Sequence, residues 1–433
     1  MNITLIHPRF ATGYRSPAVM KPLAPAVLAA LTPSRHTVRF HDERLNDLPP
    51  GEPADLVGIS TCTFAARRAY QIAAECRARG ARVVLGGFHP TLMPDEAAEH
   101  ADAVVTGDAE FSWPQVVADA EAGRLRARYG PPAPGPAVPV APDHRIFHGM
   151  RYLPIHPVQF GRGCPRNCEF CSIRAFYGGG TATRPVESVV EELRACGKRR
   201  VMFVDDNLLG NRAAFVSLLD AITPLRLRWT SQIDIRVADD PALLERVRRS
   251  GCESLVIGLE SLEESNLRQM GKAWNRAAEY SIRLARIRKA GILVYGTFVF
   301  GYDGDTPETL VRTLEFALRE RLYIANFNPL QPLPGTPLYQ RCEREGRLVS
   351  DRWWLDPAYR WHEALIEPRG MTRAELTDGC RHARETFHSP SNILRRLPSS
   401  AHLRGPSNLL LYLAGNWISR RDIAAKSKLA TAR

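Results

Sequence analysis

Cys164, Cys168 and Cys171 form a compact cysteine motif with the spacing C-x3-C-x2-C. Structural zinc sites and ordinary iron–sulfur clusters take four protein ligands, so this set is one ligand short. A loop with three thiolates suits a cubane cluster in which one iron stays open, and an open iron can hold a substrate. The motif therefore predicts a 4Fe–4S cluster that takes part in chemistry rather than in scaffolding.

Two other interpretations of these cysteines stay open: a zinc ion with a fourth ligand such as His156, or reduced thiols in a loop. Zinc knuckles normally pair two Cys-x2-4-Cys or Cys/His halves, and no second half follows Cys171. The spacing therefore favours the cluster.

The cysteine motif stands inside a region, from about Tyr152 to Tyr339, where strand candidates alternate with helix candidates in six βα units. The strands are predicted at His156–Phe160, Arg200–Val204, Arg228–Gln232, Ser254–Gly258, Leu293–Phe300 and Ile324–Pro329. Six units match three-quarters of an eight-fold barrel, whose chemistry sits where strands end and βα loops begin. Because Cys164 follows the first strand, we expect the cysteine loop at the reactive end of a partial (β/α)6 barrel.

Residues 1–128 predict a separate α/β unit. Its strands are predicted at Ile3–His7, Thr37–Phe40, Leu56–Ser60, Val83–Gly87 and Val104–Thr106. Short apolar strands separated by helices indicate a parallel sheet covered on both faces, of the Rossmann-like or flavodoxin-like type. Such sheets bind ligands at the carboxyl ends of their strands. The strand ends carry Ser60, Thr61, Gly86, Gly87, His89, Gly107 and Glu110.

A proline-rich linker is predicted over residues 129–150, because half of residues 131–142 are proline and favour extended backbone. We therefore expect the barrel domain at residues 151–345 and a helical C-terminal region at residues 346–433. The apolar segment Asn408–Ile418 predicts a terminal helix packed on the domain, with a helix at a membrane surface as the alternative.

The composition is typical of a globular protein from a reducing compartment. A chain of 433 residues with 44% hydrophobic and 24% charged residues allows two or three domains. Its nine cysteines are too sparse for a secreted disulfide scaffold, and the N-terminus MNITLIHPRF has no signal-peptide pattern. No stretch reaches the ~18 apolar residues of a membrane span. We expect a cytoplasmic protein, as an oxygen-sensitive cluster requires.

The formal net charge is +12. A basic, arginine-rich proteome accounts for such a charge, and so does an acidic partner such as the electron carriers flavodoxin and ferredoxin. Nucleic acid is disfavoured as a partner, because the arginines are scattered along helices and no basic run is interleaved with aromatic residues.

The cysteine motif resembles that of the radical S-adenosylmethionine (radical SAM) superfamily, with Gly161-Arg-Gly before it and Phe170 between its last two cysteines. The resemblance covers roughly residues 1–400. It implies that the open iron binds the amino and carboxylate groups of S-adenosylmethionine (SAM), and that one electron splits the sulfonium to give a 5′-deoxyadenosyl radical. The barrel then supplies orientation and excludes water.

The same resemblance implies SAM contacts at three strand ends. Asp205 and Asp206 suit the cationic ammonium of SAM, with helix capping as their alternative role. Glu260 and Ser261 are expected near the ribose, with a structural strand-end glutamate as the alternative. Gly301 follows the fifth barrel strand, where glycine permits a ligand to approach closely.

The segment Pro334–Tyr339, PGTPLY, resembles that of a radical SAM branch with an N-terminal cobalamin-binding domain. The resemblance implies that the strand-end residues of the first domain, from Ser60 to Glu110, hold cobalamin. The axial-histidine motif D-x-H-x-x-G is missing, as in other members that bind cobalamin without a protein histidine on cobalt. The alternative is a vestigial domain that shapes the substrate pocket, and His89 serves equally well as a structural hydrogen-bonding residue.

These resemblances lead to three functional hypotheses. The first is cobalamin-dependent methylation of an unactivated carbon in a small molecule, a secondary metabolite or a lipid. The second uses the same radical for oxidative cyclisation or rearrangement without methyl transfer, as in the anaerobic Mg-protoporphyrin ester cyclases. The third is a non-catalytic iron–sulfur sensor or binding protein. The sequence does not name the substrate, although the tryptophans at 353, 354 and 361 hint at an apolar one.

Overall fold

A computed structural model of the chain describes residues 1–10, 15–16, 18–130 and 140–431. The proline-rich stretch 131–139 lies outside the described residues, so most of the predicted linker stays a prediction.

The N-terminal sheet has six parallel strands in the order β2-β1-β3-β4-β5-β6. The strands are β1 (Asn2–His7), β2 (Thr37–Asp42), β3 (Leu56–Ser60), β4 (Arg82–Gly86), β5 (Ala103–Val105) and β6 (Arg128–Tyr129). The helices are α1 (Leu23–Leu31), α2 (Ala66–Ala78), α3 (Phe88–Leu92), α4 (Pro94–His100) and α5 (Trp113–Glu121). The order is of the flavodoxin type, and the predicted doubly wound fold is confirmed.

The apolar runs of this sheet are buried because helices cover both of its faces. Val57, Ile59 and Val83 belong to one core cluster and Leu56 and Val84 to the other, so neighbouring residues of one strand point to opposite sides. The short strand β6 was not predicted, since Arg128–Tyr129 carries no apolar run. It ends one residue beyond the predicted limit of the first domain.

The second sheet is also parallel, with six strands in the order β14-β13-β12-β11-β10-β7. Strands β8 and β9 form a separate antiparallel pair. The strands are β7 (His156–Val158), β8 (Gly161–Gly163), β9 (Thr181–Thr183), β10 (Arg200–Phe203), β11 (Arg228–Gln232), β12 (Cys252–Glu260), β13 (Leu293–Phe300) and β14 (Ile324–Pro329). All six predicted strands of the partial barrel are present.

Helices alternate with these strands and pack against them. They are α6 (Ser172–Tyr177), α7 (Val186–Ala195), α8 (Arg212–Ile222), α9 (Pro241–Arg249), α10 (Glu264–Gln269), α11 (Tyr280–Lys289), α12 (Pro307–Arg319) and α13 (Pro337–Arg344). The barrel core lies between sheet and helices and contains Phe203, Phe215 and Leu255, which are fully or almost fully buried. This core fixes the ends of the strands from which the functional loops start.

The C-terminal region contains helices α14 (Arg373–Phe387), α15 (Pro390–Arg396) and α16 (Pro406–Thr431). Helix α14 packs on β14 and α12. Helix α16 is anchored by the buried Tyr412 and Asn416, whereas Leu410, Leu413 and Trp417 are exposed on its outer side. Among the described residues, none of the helices is long and apolar enough to cross a bilayer.

Residues 346–372 contain no helix and reach back to the N-terminal domain. Trp353 and Trp354 are 1% and 2% exposed and belong to the core cluster of α2 and β4. The indole of Trp354 donates to Glu96 Oε1 at 3.0 Å. Two of the three tryptophans that hinted at an apolar substrate are therefore packed in the protein interior.

Candidate active site

The cysteine loop leaves β8 at Cys164 and ends at Cys171, the N-cap of α6. Cys168 is buried, and Cys164 and Cys171 are half-buried. The amide of Cys171 donates to the carbonyl of Cys168 at 3.2 Å, which curls the loop. The three thiols thus lie on one short turn at the carboxyl end of the first barrel strand.

Two ion pairs hold this loop against the barrel. Arg166 Nη2 lies 3.0 Å from Asp234 Oδ2, and Glu169 Oε1 lies 2.8 Å from Arg341 Nη2. The amide of Glu169 also donates to the carbonyl of Met270 at 3.1 Å. These contacts place the loop before any ligand binds.

The donor set fits an iron–sulfur cluster. Burial raises the pKa of Cys168 to about 12 and also raises the pKa of Cys171. Neutral buried thiols need a metal to become thiolates, and coordination removes the proton outright. All nine cysteines are free. In the described part of the chain, no cysteine sulfur belongs to a group of three ligand atoms close enough together to bind a single metal ion. This arrangement suits a cluster that spreads its ligands over three irons.

The structure excludes His156 as the fourth ligand of a zinc ion at the cysteine loop. His156 opens β7 at the opposite end of the strand, where it lies with His144 and Glu192.

Asp205 and Asp206 follow β10 and bind backbone amides of the chain that leads to the cysteines. Asp205 Oδ2 accepts from the amide of Phe160 at 3.0 Å, and its Oδ1 accepts from the amide of Gly161. Asp206 Oδ2 accepts from the amide of Gly163 at 2.8 Å. Burial raises the pKa of Asp205 to about 7 and of Asp206 to about 6. Both carboxylates therefore fix the entry to the cysteine loop rather than capping a helix.

Asn207 is a further residue of the site, and the sequence did not assign it a role. Its Nδ2 lies 3.7 Å from the sulfur of Cys164, and its Oδ1 accepts from the amide of Asp234 at 3.2 Å. A single amide side chain thus connects the first cysteine with the loop after β11. The sequence feature that could have indicated this role is its position directly after the two aspartates.

Glu260 ends β12 in the left-handed backbone region, with φ of 65°. The pairing of β12 with β13 shifts register between Gly258 and Glu260. This irregularity turns the carboxylate towards Lys272, whose Nζ lies 2.8 Å from Oε1. Both side chains are buried, so the predicted ribose ligand already holds an ammonium group of the protein.

Trp274 is surrounded by three cations that the sequence did not connect. The charged groups of Arg166, Arg236 and Lys272 lie 4.5, 4.9 and 5.3 Å from the centre of its ring. Such contacts stabilise cations that are removed from water. Each of the three cations also pairs with a carboxylate of the protein, so the cluster fastens the cysteine loop to the neighbouring strand ends.

Ser261 and Gly301 serve local structure. The hydroxyl of Ser261 accepts from the amide of Glu263 at 3.0 Å. Gly301 has φ of 119° and donates its amide to Asp305 Oδ2 at 2.8 Å. A side chain at 301 would approach Leu376 to 3.1 Å, so the glycine makes room for the protein core. The structure therefore places Gly301 against the protein core, and its contact with a ligand stays a prediction.

A groove of about 240 Å³ lies at the carboxyl ends of β3, β4 and β5. Five of the seven predicted residues line it: Ser60, Gly86, Gly87, Gly107 and Glu110. Leu23, Val27 and Trp113 give it an apolar inner wall, and Tyr177 of α6 closes its mouth from the barrel side. The groove therefore runs from the N-terminal sheet to the helix that begins at the cysteine loop.

Arg162 connects the groove with the cysteine loop. It is the central residue of β8, and it pairs with Glu110 and lies 3.0 Å from Asp108 Oδ2. Tyr177 donates to Asp108 Oδ1 at 3.1 Å. This polar cluster therefore joins the two domains beside the groove, close to the start of the cysteine loop.

His89 and Thr61 do not line the groove. His89 is fully buried, with its Nε2 3.0 Å from Glu96 Oε1 and 3.1 Å from the hydroxyl of Tyr70. Thr61 is buried and donates to the carbonyl of Cys62 at 3.1 Å. Of the two roles considered for His89, the geometry corresponds to the structural hydrogen-bonding residue.

A larger cavity of about 490 Å³ lies between the barrel, the C-terminal helices and the segment after β1. Phe10 and Trp361 stack on one another in its wall, with ring centres 4.6 Å apart. Arg384 also lines it and is 7% exposed. Its Nη1 donates to the carbonyl of Phe327 at 2.8 Å, and no carboxylate among the described residues pairs with it. A buried guanidinium without an acidic partner suits an anionic ligand.

The sequence profile of the radical SAM superfamily matches residues 158–317. Bacteriochlorophyllide d C-12(1)-methyltransferase of Chlorobaculum tepidum is 30% identical over 91% of this chain and 88% of the relative. The C-8(2)-methyltransferase of the same organism is 32% identical over 76% of this chain and 78% of the relative. This chain belongs to the radical SAM superfamily. It is an enzyme, and its cofactors include a 4Fe–4S cluster and SAM.

Among solved structures, the radical SAM methyltransferase TsrM from Kitasatospora setae, bound to tryptophan and a SAM analogue, matches with a TM-score of 0.71 at 17% identity. The match covers 100% of both chains. A second TsrM structure, with cobalamin and a 4Fe–4S cluster, matches with a TM-score of 0.69 at 16% identity. This similarity shows that the chain has the same overall fold as TsrM.

Proposed function

We propose that this radical SAM enzyme is a cobalamin-dependent methyltransferase that acts on an unactivated carbon of a small molecule. The observation that carries the proposal is the groove at the ends of β3, β4 and β5. Its barrel side is lined by Arg162 of β8 and Tyr177 of α6, the two elements that flank the cysteine loop. The two bacteriochlorophyllide relatives, named for methylation, support the same activity.

The groove fits part of a cobalamin molecule. Its glycines at 58, 86, 87 and 107 leave the strand ends open, and the apolar wall with Trp113 suits the aromatic base of the nucleotide tail. Gly58 lets Trp113 pack closely, because a side chain there would lie 3.1 Å from the indole. Among the described residues that line the groove there is no histidine, so cobalt would be held without a protein imidazole.

When bound, the cluster with SAM supplies a hydrogen-abstracting radical, and cobalamin supplies the methyl group. The protein positions both. Cys164, Cys168 and Cys171 hold the cluster, and Asn207 orients Cys164. Asp205 and Asp206 fix the strand before the loop and stay candidates for the ammonium of SAM, as Glu260 and Ser261 do for its ribose.

We assign the substrate to the larger cavity. The stacked Phe10 and Trp361 suit a flat ring system, and Arg384 suits a carboxylate or phosphate. We therefore propose a secondary metabolite or lipid that combines an extended unsaturated part with an acidic group. Free acids should be methylated, and their methyl esters should react at least about tenfold more slowly, because the ester leaves Arg384 without an anion.

The partners and compartment follow from the charge and the thiols. With a net charge of +12, the chain suits an acidic electron donor such as flavodoxin or ferredoxin. Nine free cysteines suit the reducing cytoplasm. The exposed Leu410, Leu413 and Trp417 leave contact with a membrane surface as a further proposal.

Anaerobic turnover tests the proposed reaction. Protein reconstituted with iron, sulfide and cobalamin is incubated with SAM, a reductant and candidate acids. Methylation requires 5′-deoxyadenosine together with S-adenosylhomocysteine, because a second SAM replaces the methyl group on cobalt. 5′-Deoxyadenosine without S-adenosylhomocysteine would favour cyclisation or rearrangement. The Cys164→Ala variant is the control and should lose both products.

A further inference from the structure

A second cluster of metal-binding side chains lies at the opposite end of the barrel from the cysteines. His144 belongs to a short 3-10 turn, His144–Phe147, before the barrel. His156 is the first residue of β7, and Glu192 lies on α7. One ligand atom of each of these three side chains lies within 4.8 Å of those of the other two. The cluster therefore joins three separate elements at one point.

Several polar atoms of this cluster are buried without a hydrogen-bond partner. They are both ring nitrogens of His144, Nε2 of His156 and Oε1 of Glu192. The side chains of His156 and Glu192 are only 5% and 6% exposed, and their free atoms lie 3.7 Å apart. A buried polar atom without a partner destabilises the fold, because it loses its hydrogen bonds to water and gains none in the protein. Several such atoms aimed at one point indicate a ligand that satisfies them together.

The two imidazoles and the carboxylate of the cluster offer lone pairs that suit a cation. The ring of His144 lies 4.3 Å from the ring of His156, centre to centre. Arg184 Nη1 lies 2.7 Å from Glu192 Oε2, which fixes the carboxylate and leaves Oε1 directed at His156. An outer partner of this kind is typical of metal-ligating carboxylates.

We propose that His144, His156 and Glu192 bind one zinc ion. Two imidazoles and one carboxylate are a common zinc donor set, completed by a water molecule. The ligand atoms need only small side-chain movements to reach the usual distances of about 2.0–2.2 Å. Because the site lies at the amino end of β7, away from the reactive strand ends, the ion has a structural role. It fastens the segment that follows residues 131–139 to the barrel.

Metal analysis of the reconstituted holoenzyme tests this site. The protein, with its cluster in place, is equilibrated with equimolar zinc and desalted. One zinc per chain is expected in addition to the cluster iron, and X-ray absorption at the zinc edge should show nitrogen and oxygen ligands without sulfur. Sulfur ligands would place the zinc at the cysteines and overturn the proposal, as would the absence of retained zinc.

Variants separate this site from the cluster. His144→Gln lies outside the barrel strands and should weaken zinc binding at least about tenfold while the iron content stays unchanged. His148→Gln changes an exposed histidine of the same segment and should retain zinc. Cys164→Ala should lose iron and keep zinc. Equal zinc affinity in H144Q and the native protein would overturn the assignment. Zinc occupancy is measured without turnover, so this test is independent of the proposed methylation.

Discussion

The ammonium group of Lys272 lies 2.8 Å from Oε1 of Glu260, and both side chains are buried at the end of β12. Burial alone would lower the pKa of Lys272, but the Glu260 carboxylate holds that pKa above its ordinary value. The ammonium group therefore stays charged beside the cysteine loop. Its position links the strand that ends at Glu260 to the loop that presents Trp274.

Breaking this pair should cost stability. Glu260→Gln is expected to lower the free energy of unfolding by about 3 kcal/mol, because it leaves a buried ammonium without its counter-charge. The double variant E260Q/K272M should recover most of the loss. Urea unfolding of anaerobically purified protein at pH 7 measures both. The exposed pair Arg246–Asp220 is the control, and Asp220→Asn should cost less than about 1 kcal/mol. An equal cost of E260Q with and without Lys272 would contradict the pairing.

Local patterns in the sequence were sufficient for the strands and the cysteine loop. The apolar runs at Leu56–Ser60 and Leu293–Phe300 predicted β3 and β13 with the bounds that the structure has. Short strands without apolar runs, such as Gly161–Gly163 and Thr181–Thr183, were not predicted, because they form through backbone pairing and have no side-chain pattern.

Contacts between distant parts of the chain left no local signal. The indole of Trp354 reaches Glu96 across more than half of the sequence, and Arg162 pairs with Glu110 of the other domain. Asp205 was expected to face a ligand, yet both of its oxygens accept backbone amides. Residue type and strand-end position identify such an aspartate, but the choice between ligand and backbone depends on how closely the neighbouring chain approaches.

The buried carboxyl of Asp305 predicts a pH-dependent stability. Burial raises its pKa to about 6, although the amides of Gly301 and Tyr302 donate to it. A carboxyl with a raised native pKa binds more protons in the folded state, so its contribution to stability is full below about pH 4 and is lost as the pH rises to about 6. The loss amounts to about 3 kcal/mol at ~1.4 kcal/mol per pKa unit.

Unfolding of Asp305→Asn at several pH values measures this contribution. Between pH 4 and 6 the native protein should lose stability relative to D305N by up to that amount. Asp303 is the matched control, because hydrogen bonding from Gln269 and the charge of Arg347 hold its pKa below the ordinary value despite partial burial. Relative to D303N the native protein should gain stability as the pH rises to about 5, the opposite direction, and the difference should stay flat above that pH. A flat difference for D305N would contradict the raised pKa.

The net charge of +12 predicts steered binding of an acidic electron donor. Reduction of the cluster by flavodoxin should slow several-fold as the salt concentration rises from about 0.05 to 0.3 M, because the range of electrostatic attraction shrinks to less than about 10 Å. Initial rates of 5′-deoxyadenosine formation measure this. Reduction by cationic methyl viologen is the control and should not slow with salt. A salt-independent rate with flavodoxin would count against charge steering.

Gly86 offers the most direct way to block the groove without disturbing the cysteine loop. A Cβ at this position would meet no atom closer than 3.6 Å, so a larger side chain is tolerated at its base and extends into the open space. Gly86→Leu is therefore expected to reduce cobalamin retained after gel filtration at least about tenfold, since the side chain takes the place of the ligand. Its iron content should match that of the native protein.

Gly405→Ala, with no neighbouring atom within 4 Å, is the control and should retain cobalamin. Full retention by G86L would place cobalamin outside this groove, and loss of iron together with cobalamin would show that the substitution disturbs the whole site.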